Sequence, residues 1–219
     1  MKRIFYVIPT YFEYAPLRKI LNPNEISKKP LITEIIGKKY TFIIYLAGIG
    51  KKNMKKAVSY IKDEYQGQYI VSGGCCGGLK PYLKPGSVLM PEKVKAGHHE
   101  AIELDQFMEE ISDHVLRDGD VFSVNRPADV YRKQQIRDNN PQSFMIDMES
   151  YWLVKYAKEL GMQAAVLRVL VDTVDDEVPE IKGRSLLRLF HIRSWLFKRK
   201  AKQGMKKIAR IIKLIIDVT

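Results

Sequence analysis

Cysteine and long apolar runs are scarce in this sequence. Its 219 residues include only Cys75 and Cys76, and adjacent cysteines close an unstrained disulfide only with difficulty, so the pair does not indicate an oxidising compartment. No run approaches the roughly 20 apolar residues of a membrane-spanning helix, and the N-terminal segment lacks a small-residue cleavage site behind an apolar core. We therefore expect a soluble, unexported, cytoplasmic protein.

Acidic residues are absent from the segment 183–216, which carries 11 Lys and Arg side chains. Without those cations the formal net charge of the chain falls from +12 to +1. The positive charge therefore belongs to the C-terminal segment and gives no reason to expect that the body of the protein binds nucleic acid. With 46% hydrophobic residues and no Gly/Ser linker, residues 1–219 are predicted to form a single domain with a basic amphipathic segment at 183–219.

Strand-like and helix-like segments alternate along the chain. The hydrophobic pattern predicts strands at 4–8, 69–72, 87–96, 120–124, 143–146 and 164–171, and a hairpin over 31–48. Helices are predicted at 50–65, 104–116, 127–137 and 149–160, and the glycine-rich stretch 73–78 is predicted to turn away from its strand as a loop. The nearly all-apolar run 164–171 is typical of a central strand covered on both faces. The pattern therefore predicts an α/β sandwich.

Motifs for cofactors, metals and cysteine catalysis are weak. The sequence GIGK at 48–51 is not followed by the Ser or Thr that a P-loop uses for magnesium, and the stretch 73–78 lacks the G-x-G-x-x-G register. The pair His98-His99 would point to opposite faces of a strand, and no further ligand accompanies it. The two cysteines are interpreted as small buried residues. We expect no cofactor, no metal and no cysteine nucleophile.

Three carboxylates follow predicted strands. Glu13 comes after the first strand, Glu149 after MIDM, and Asp172 after AAVLRVLV. Because the carboxyl ends of strands form the ligand crevice of open α/β sheets, their spacing permits convergence. The alternative explanation is structural: Glu149 is an acid at a helix N-terminus, and Asp172 opens a turn in the acidic run DTVDDE. From these residues alone, the structural alternative is favoured.

Three longer segments together resemble the purine nucleoside phosphorylase/uridine phosphorylase superfamily. They are LAGIGKKN at 46–53, SGGCCGGLKPYLKPGSVLMP at 72–91, and MIDMESYWLVKYAKELGMQAAVLRVLVDTVDDEVP at 145–179. Within it the chain is similar to the 5'-methylthioadenosine/S-adenosylhomocysteine nucleosidases. The motifs DMES, LRVLVDTVDDEVP and FSVNRPADVYRK resemble more closely the hopanoid-associated branch, which removes adenine from adenosylhopane. The resemblance implies a three-layer α/β/α sandwich with a central mixed sheet, and adenine release from a 5'-substituted adenosine.

Residue roles follow from the resemblance. It implies that Asp172 donates a proton toward N7 of the leaving purine, that Glu13 orients and deprotonates water, and that Glu149 holds the ribose hydroxyls. Breaking this bond passes through an oxocarbenium-like sugar, which such carboxylates serve chemically. Four further positions are implied to contact or support the substrate: Met148 packs on the sugar, Arg168 supports the aspartate, Ile49 lines the 5' side, and Cys75 stands where many relatives have serine.

The nucleophile and the substrate remain open between alternatives. Glu13 and Ser72 stand where the phosphorylase branch has phosphate-binding arginines, which favours water, although Arg18 and Arg126 are candidate anion ligands for a phosphorolytic reaction. The segment 95–120 is shorter than in the methylthioadenosine enzymes, which favours a larger or lipidic 5' group such as that of adenosylhopane. A methylthioadenosine/S-adenosylhomocysteine nucleosidase and a non-catalytic nucleoside-binding or membrane-interaction protein are the other hypotheses. The resemblance also implies a homo-oligomer, a dimer or hexamer.

The C-terminal segment has two stretches with helical periodicity and basic polar faces, 186–198 and the residues after Gly204. One hypothesis is that they cover the sheet. The other, equally favoured, is that they form an interfacial helix that holds the protein to an anionic membrane, at the inner membrane face. Nucleic-acid binding ranks third because few aromatic side chains there could stack on bases.

Overall fold

The computed structural model describes residues 2–176 and 192–217. Its strands are β1 Lys2–Ile8, β2 Asn24–Lys28, β3 Leu31–Ile36, β4 Tyr40–Leu46, β5 Tyr69–Gly78, β6 Val88–Leu89, β7 Lys93–Lys95, β8 Ile102–Glu103, β9 Asp120–Ser123, β10 Ser143–Asp147 and β11 Gln163–Asp172. Its α-helices are α1 Tyr11–Leu21, α2 Lys51–Tyr65, α3 Val130–Asn139, α4 Ser150–Glu159 and α5 Ile192–Asp217. A 3-10 helix spans Glu109–His114.

The sheet has a parallel centre in the order β4-β1-β5-β11. Strands β2 and β3 extend it antiparallel beyond β4. On its β1 side, β5 pairs first with β1 and then, at Gly77 and Gly78, with the antiparallel strand β10. A gap therefore separates the end of β1 from β10 on this side of the sheet, and β5 runs along that gap. This mixed sheet confirms the predicted α/β fold class.

Two helical layers cover the sheet. On one face α2 and α4 bury Met54, Ala57, Ile61 and Leu153 against the strands. On the other face α1 and α5 pack against each other, α1 also contacts β1, and α5 packs on β11. Strand β11 is buried from Ala164 to Asp172 because both layers meet it. The result is the expected three-layer α/β/α sandwich.

The prediction for the glycine-rich stretch was wrong. Residues 73–78 do not form a loop but complete the ten-residue strand β5. The four glycines of this stretch lack a Cβ at positions where other side chains press on the strand: an added Cβ on Gly77 would lie 2.8 Å from Oδ1 of Asp172. Glycine here clears space above a strand and does not interrupt it.

Other boundaries also differ. The helix predicted at 104–116 is only a short 3-10 turn, and the strand predicted at 87–96 is divided around Pro91 into β6 and β7. Helix α1, whose N-cap is Thr10, and the edge strand β2 were not predicted. The remaining predicted elements are present with shifts of a few residues.

Residues 192–217 of the C-terminal segment form a single helix, α5, which continues through Gly204. An added Cβ on Gly204 would lie 2.6 Å from Cγ2 of Val169 on β11, so glycine lets α5 approach the sheet closely. Its buried side comprises Ala201, Met205, Ile208, Ala209, Ile211, Ile212, Ile215 and Ile216. This part of the segment therefore covers the sheet, as the first hypothesis expected. Positions 186–191 of the predicted first stretch lie outside the described residues.

Among the described residues, no helix has both the length and the apolar character that crossing a membrane requires.

Truncating Ile208 to Ala tests the packing of α5. Ile208 is fully buried on the sheet, so the variant should lose about 2–5 kcal/mol of unfolding free energy, measured by urea denaturation. The matched control is Leu214→Ala on the exposed side of the same helix, which should lose less than about 1 kcal/mol. Equal losses would contradict the packing of α5 on β11.

Candidate active site

A cavity of about 460 Å³ lies where β1, β10 and β11 end. Its lining includes six of the seven residues singled out from the sequence: Glu13, Ile49, Cys75, Met148, Glu149 and Asp172. The seventh, Arg168, is buried beneath it on β11. The carboxylates that follow three separate strands thus converge on one cavity, as strand ends do in this class of fold.

Glu13 is held at the floor of the cavity by two donors. The Cys75 amide donates to its Oε1 at 2.8 Å, and the Thr10 hydroxyl donates to its Oε2 at 2.6 Å. Thr10 also caps α1 by accepting from the Glu13 amide. Gly74 has a φ of 126°, and an added Cβ there would lie 2.6 Å from Oε1 of Glu13. The glycine strand therefore makes room for this carboxylate.

Arg168 makes its shorter ion pair with Asp147, a residue that the sequence analysis did not single out. Its guanidinium lies 2.8 Å from Oδ2 of Asp147, and also donates to the Ser72 hydroxyl at 2.9 Å. Asp147 accepts from the Ser123 hydroxyl at 2.5 Å as well. The expectation was that Arg168 supports Asp172, but its ion pairs among the described residues are with Asp147 and, at 3.7 Å, with Glu149. In the sequence, Asp147 could have been identified as the aspartate within the motif MIDM, which ends a predicted strand.

Glu149 faces the cavity instead of capping a helix. It occupies the N-cap position of α4, but its side chain makes no capping hydrogen bond. Burial raises the pKa of the Glu149 carboxyl to about 7, and the nearby carboxylates of Asp147 and Glu13 add to the rise while Arg168 and the Gly50 amide oppose it. Glu149 thus stands at a helix N-terminus, as the structural alternative expected, and its side chain also lines the cavity.

Asp172 ends β11, with its carboxylate bound by the Lys133 ammonium. Burial raises the pKa of Asp172, and Lys133 partly offsets that rise. The turn that follows is closed by a different residue, because the Thr173 amide donates to Oδ2 of Asp176 at 2.9 Å. The Asp172 side chain therefore does not close this turn and lines the cavity. Lys133 is the second site residue, after Asp147, that the sequence analysis did not identify.

Apolar side chains make up most of the remaining lining. The set comprises Pro9, Phe12, Val124, Pro127, Ala128, Ile146, Val171, Phe197 and Ala201. Phe12 is 41% exposed and Ile49 is 55% exposed, so part of this wall is open to solvent. Phe197 and Lys198 come from α5, which makes the C-terminal helix part of the cavity wall. The candidate anion ligands Arg18 and Arg126 are exposed and lie outside the lining.

The cysteines and histidines do not show the features of catalytic or metal-binding residues. Burial raises the pKa of the Cys75 thiol, and the Glu13 carboxylate beside it adds to the rise, so a thiolate is disfavoured. His98 and His99 are exposed, and His99 stacks on the Tyr151 ring at 5.4 Å. Within residues 2–176 and 192–217, no group of three or more His, Cys, Asp or Glu side chains could hold a metal ion.

Comparison with known proteins identifies the fold. No protein-family model matches the chain. One similar structure is a mutant of the Helicobacter pylori 5'-methylthioadenosine/S-adenosyl homocysteine nucleosidase with 5'-methylthioadenosine in its active site. It superposes on this chain with a TM-score of 0.79 at 14% sequence identity, and the match covers 100% of both chains. A Neisseria meningitidis 5'-methylthioadenosine/S-adenosylhomocysteine nucleosidase bound to methylthio-immucillin-A gives 0.77 at 18% identity, covering 97% of this chain and 99% of the other. Futalosine hydrolase of Helicobacter pylori gives 0.79 at 15%, covering 100% and 98%. At these identities the likeness establishes a shared fold.

Replacing Glu149 with Gln tests the cost of burying its charge. The folded-state pKa of about 7 lies above the ordinary value of 4.5, so the folded protein holds its proton more tightly than the unfolded chain, and ionisation removes stability as pH rises between those values. Glu149→Gln should therefore gain unfolding free energy relative to the wild type across this range and keep that gain above about pH 7. Urea denaturation at several pH values measures the difference.

Glu64→Gln is the matched control, because Glu64 is an exposed glutamate on α2. Its stability difference from the wild type should stay constant across the same pH range. If Glu149→Gln behaved in the same way, the burial of the Glu149 charge would be fully compensated by Arg168 and its neighbours.

Proposed function

We propose that this protein cleaves the N-glycosidic bond of a 5'-substituted adenosine and releases adenine. The observation that carries the proposal is the convergence of Glu13, Glu149 and Asp172 on one cavity, each in a different electrostatic environment. Separate carboxylates in different environments can divide acid, base and binding roles between them. The fold shared with nucleosidases, one of them holding 5'-methylthioadenosine, supports the same reaction class.

The three carboxylates take complementary roles in this proposal. Asp172, whose pKa is raised by burial, donates a proton to N7 of the departing base, which leaves as neutral adenine. Glu149 binds the ribose hydroxyls and stabilises the oxocarbenium-like sugar. Glu13, held as an acceptor by an amide and a hydroxyl, takes a proton from the attacking water. The water oxygen then bonds to C1' as the bond to N9 breaks.

The other predicted residues shape the cavity. Met148 and Ile49 supply apolar contacts to the sugar and the 5' group, and Cys75 positions Glu13 through its amide. Arg168 holds the strand ends beneath the substrate through Asp147. These assignments extend the likeness in fold to individual side chains.

Water is the nucleophile we favour. The cations that line the described cavity are Lys133 and Lys198, and Lys133 is already bound to Asp172. Phosphate binding usually requires arginine forks or clustered amides, and Arg18 and Arg126 lie outside the lining. A phosphate-dependent reaction is the second candidate.

The 5' substituent is apolar in our proposal. Phe12, Ile49 and Phe197 line the cavity, and the exposure of Phe12 and Ile49 leaves room for a group larger than methylthio. Adenosylhopane is the preferred substrate on the resemblance of the sequence motifs. The alternatives are a methylthioadenosine/S-adenosylhomocysteine nucleosidase and a nucleoside-binding protein without activity.

We also infer that this protein is cytoplasmic and that α5 makes a peripheral contact with the inner face of the membrane. Near the start of this helix Trp195 is 55% exposed beside the exposed Leu196, and the Arg199 guanidinium lies over the Trp195 ring at 5.4 Å. An exposed tryptophan among cations suits the interface of an anionic bilayer. We propose a single domain that forms a homo-oligomer, a dimer or hexamer, and binds no nucleic acid.

Adenine release measured by chromatography tests the proposed reaction. The substrates are methylthioadenosine and an adenosine with a long apolar 5' chain, each with and without phosphate. We expect release from the apolar substrate without phosphate. Asp172→Asn should lower kcat by about 10²- to 10⁴-fold because it removes the proton donor, whereas Asp138→Asn, an exposed carboxylate on α3, should leave kcat unchanged.

The other outcomes separate the alternatives. Release from methylthioadenosine alone would favour the nucleosidase of soluble substrates, and dependence on phosphate would identify a phosphorylase. Retention of the full rate in Asp172→Asn would remove the acid role from this residue. No release from either substrate, with nucleoside binding intact, would leave a binding protein.

Sedimentation with vesicles tests the membrane contact. The protein should bind vesicles of phosphatidylserine and phosphatidylcholine, and binding should weaken with salt because each basic residue near the surface contributes about 1 kcal/mol. Trp195→Ala should reduce binding, and Leu214→Ala near the other end of α5 should not. Binding that is insensitive to salt, or equal for both variants, would contradict an interface formed by the start of α5.

A further inference from the structure

Lys133 is a buried cation on α3 whose contacts point to a role in the site. Its side chain is 1% exposed, and a buried ammonium is costly unless it is paired and fully hydrogen-bonded. Lys133 meets that condition: its Nζ donates to the Asp172 carboxylate, to the Thr173 carbonyl at 2.9 Å and to the Asp176 carbonyl at 3.1 Å. These three acceptors use all the donors of the ammonium.

The geometry divides the two oxygens of Asp172 between different tasks. Lys133 binds Oδ2, while Oδ1 lies over the glycine strand, 2.8 Å from the place of a Cβ on Gly77. Because a lysine already occupies one oxygen, the carboxylate cannot turn freely, and the other oxygen stays at the cavity floor. The lysine also fixes the turn that follows β11, which Asp176 closes and Lys200 of α5 contacts at 3.4 Å.

The charges around Asp172 come from several elements. Lys133 on α3 and Lys200 on α5 lower the pKa of Asp172, whereas Asp176 in the following turn raises it, and burial raises it most. Burial raises the pKa of the Cys76 thiol on β5, and the charge of Asp172 adds to that rise. Without Lys133 the effect of burial would be less opposed, and Asp172 would keep its proton to a higher pH.

We propose that Lys133 is a positioning residue for Asp172, which holds the carboxyl group with Oδ1 toward the substrate base. The inference rests on the proposed function in so far as Asp172 is the proton donor to the base. Lys133 itself contacts protein acceptors and not the substrate. Its effect should therefore appear in kcat and in the pH profile more than in KM.

Lys133→Met tests the inference, with Lys133→Arg as the conservative variant and Arg132→Met as the control. Arg132 is the preceding cation on α3 and lies outside the cavity lining. In Lys133→Met, kcat should fall roughly 10- to 100-fold because the donor is misplaced, with a smaller change in KM. The alkaline limb of the kcat profile should move to higher pH. Lys133→Arg should recover part of the loss, and Arg132→Met should match the wild type.

A second measurement does not depend on turnover. The infrared carbonyl band of protonated Asp172, identified by its loss in Asp172→Asn, can be titrated in the wild type and in Lys133→Met. The midpoint of this titration should lie at higher pH in Lys133→Met than in the wild type. Circular dichroism checks that the variant is folded. Coinciding midpoints would overturn the inference, even in an active enzyme. A shifted midpoint in a protein that releases no adenine would uphold the role of Lys133 while the proposed function fails.

Discussion

The ion pair between Arg168 and Asp147 is the contact on which the site depends. Arg168 stands on the central strand β11 and reaches Asp147 at the end of β10, Ser72 in β5 and Ser150 at the start of α4. Removing one partner of such a buried pair typically costs about 3–5 kcal/mol, because the other charge is left uncompensated. The same pair fixes the relative positions of the strand ends, so the cavity and the stability of its floor have a common origin.

Around this pair, the carboxylates differ because their nearest donors differ. Glu13 is bound by an uncharged amide and an uncharged hydroxyl, Asp172 by an ammonium, and Glu149 faces the guanidinium only from 3.7 Å. Burial raises the pKa of Glu149, because its nearest cation, Arg168, is distant and the carboxylates of Asp147 and Glu13 are close. Three residues of similar chemistry thus stand in distinct electrostatic environments because of their positions alone.

Much of this arrangement could be predicted from local sequence, and the exceptions have physical reasons. Carboxylates after strands were recognisable because strand ends converge in α/β folds. Lys133 was not, since it is 39 positions from Asp172 and a lysine on a helix is ordinarily solvated. The segment 104–116 has helical spacing, but the Leu104 and Asp105 amides bond to Glu92 and Ala164, and these tertiary bonds replace those of a helix. Nothing local distinguishes a glycine strand from a glycine loop, because the difference lies in the side chains above it.

The double position of α5 has a thermodynamic consequence. Its later turns bury apolar side chains on β11, while Phe197 and Lys198 at its beginning form part of the cavity wall. A ligand that contacts this wall binds the docked helix better than an undocked one, and by reciprocity a docked helix binds the ligand better. Occupancy of the cavity and closure of the outer layer are therefore linked equilibria, and the exchange rates of amide hydrogens along α5 depend on what the cavity holds.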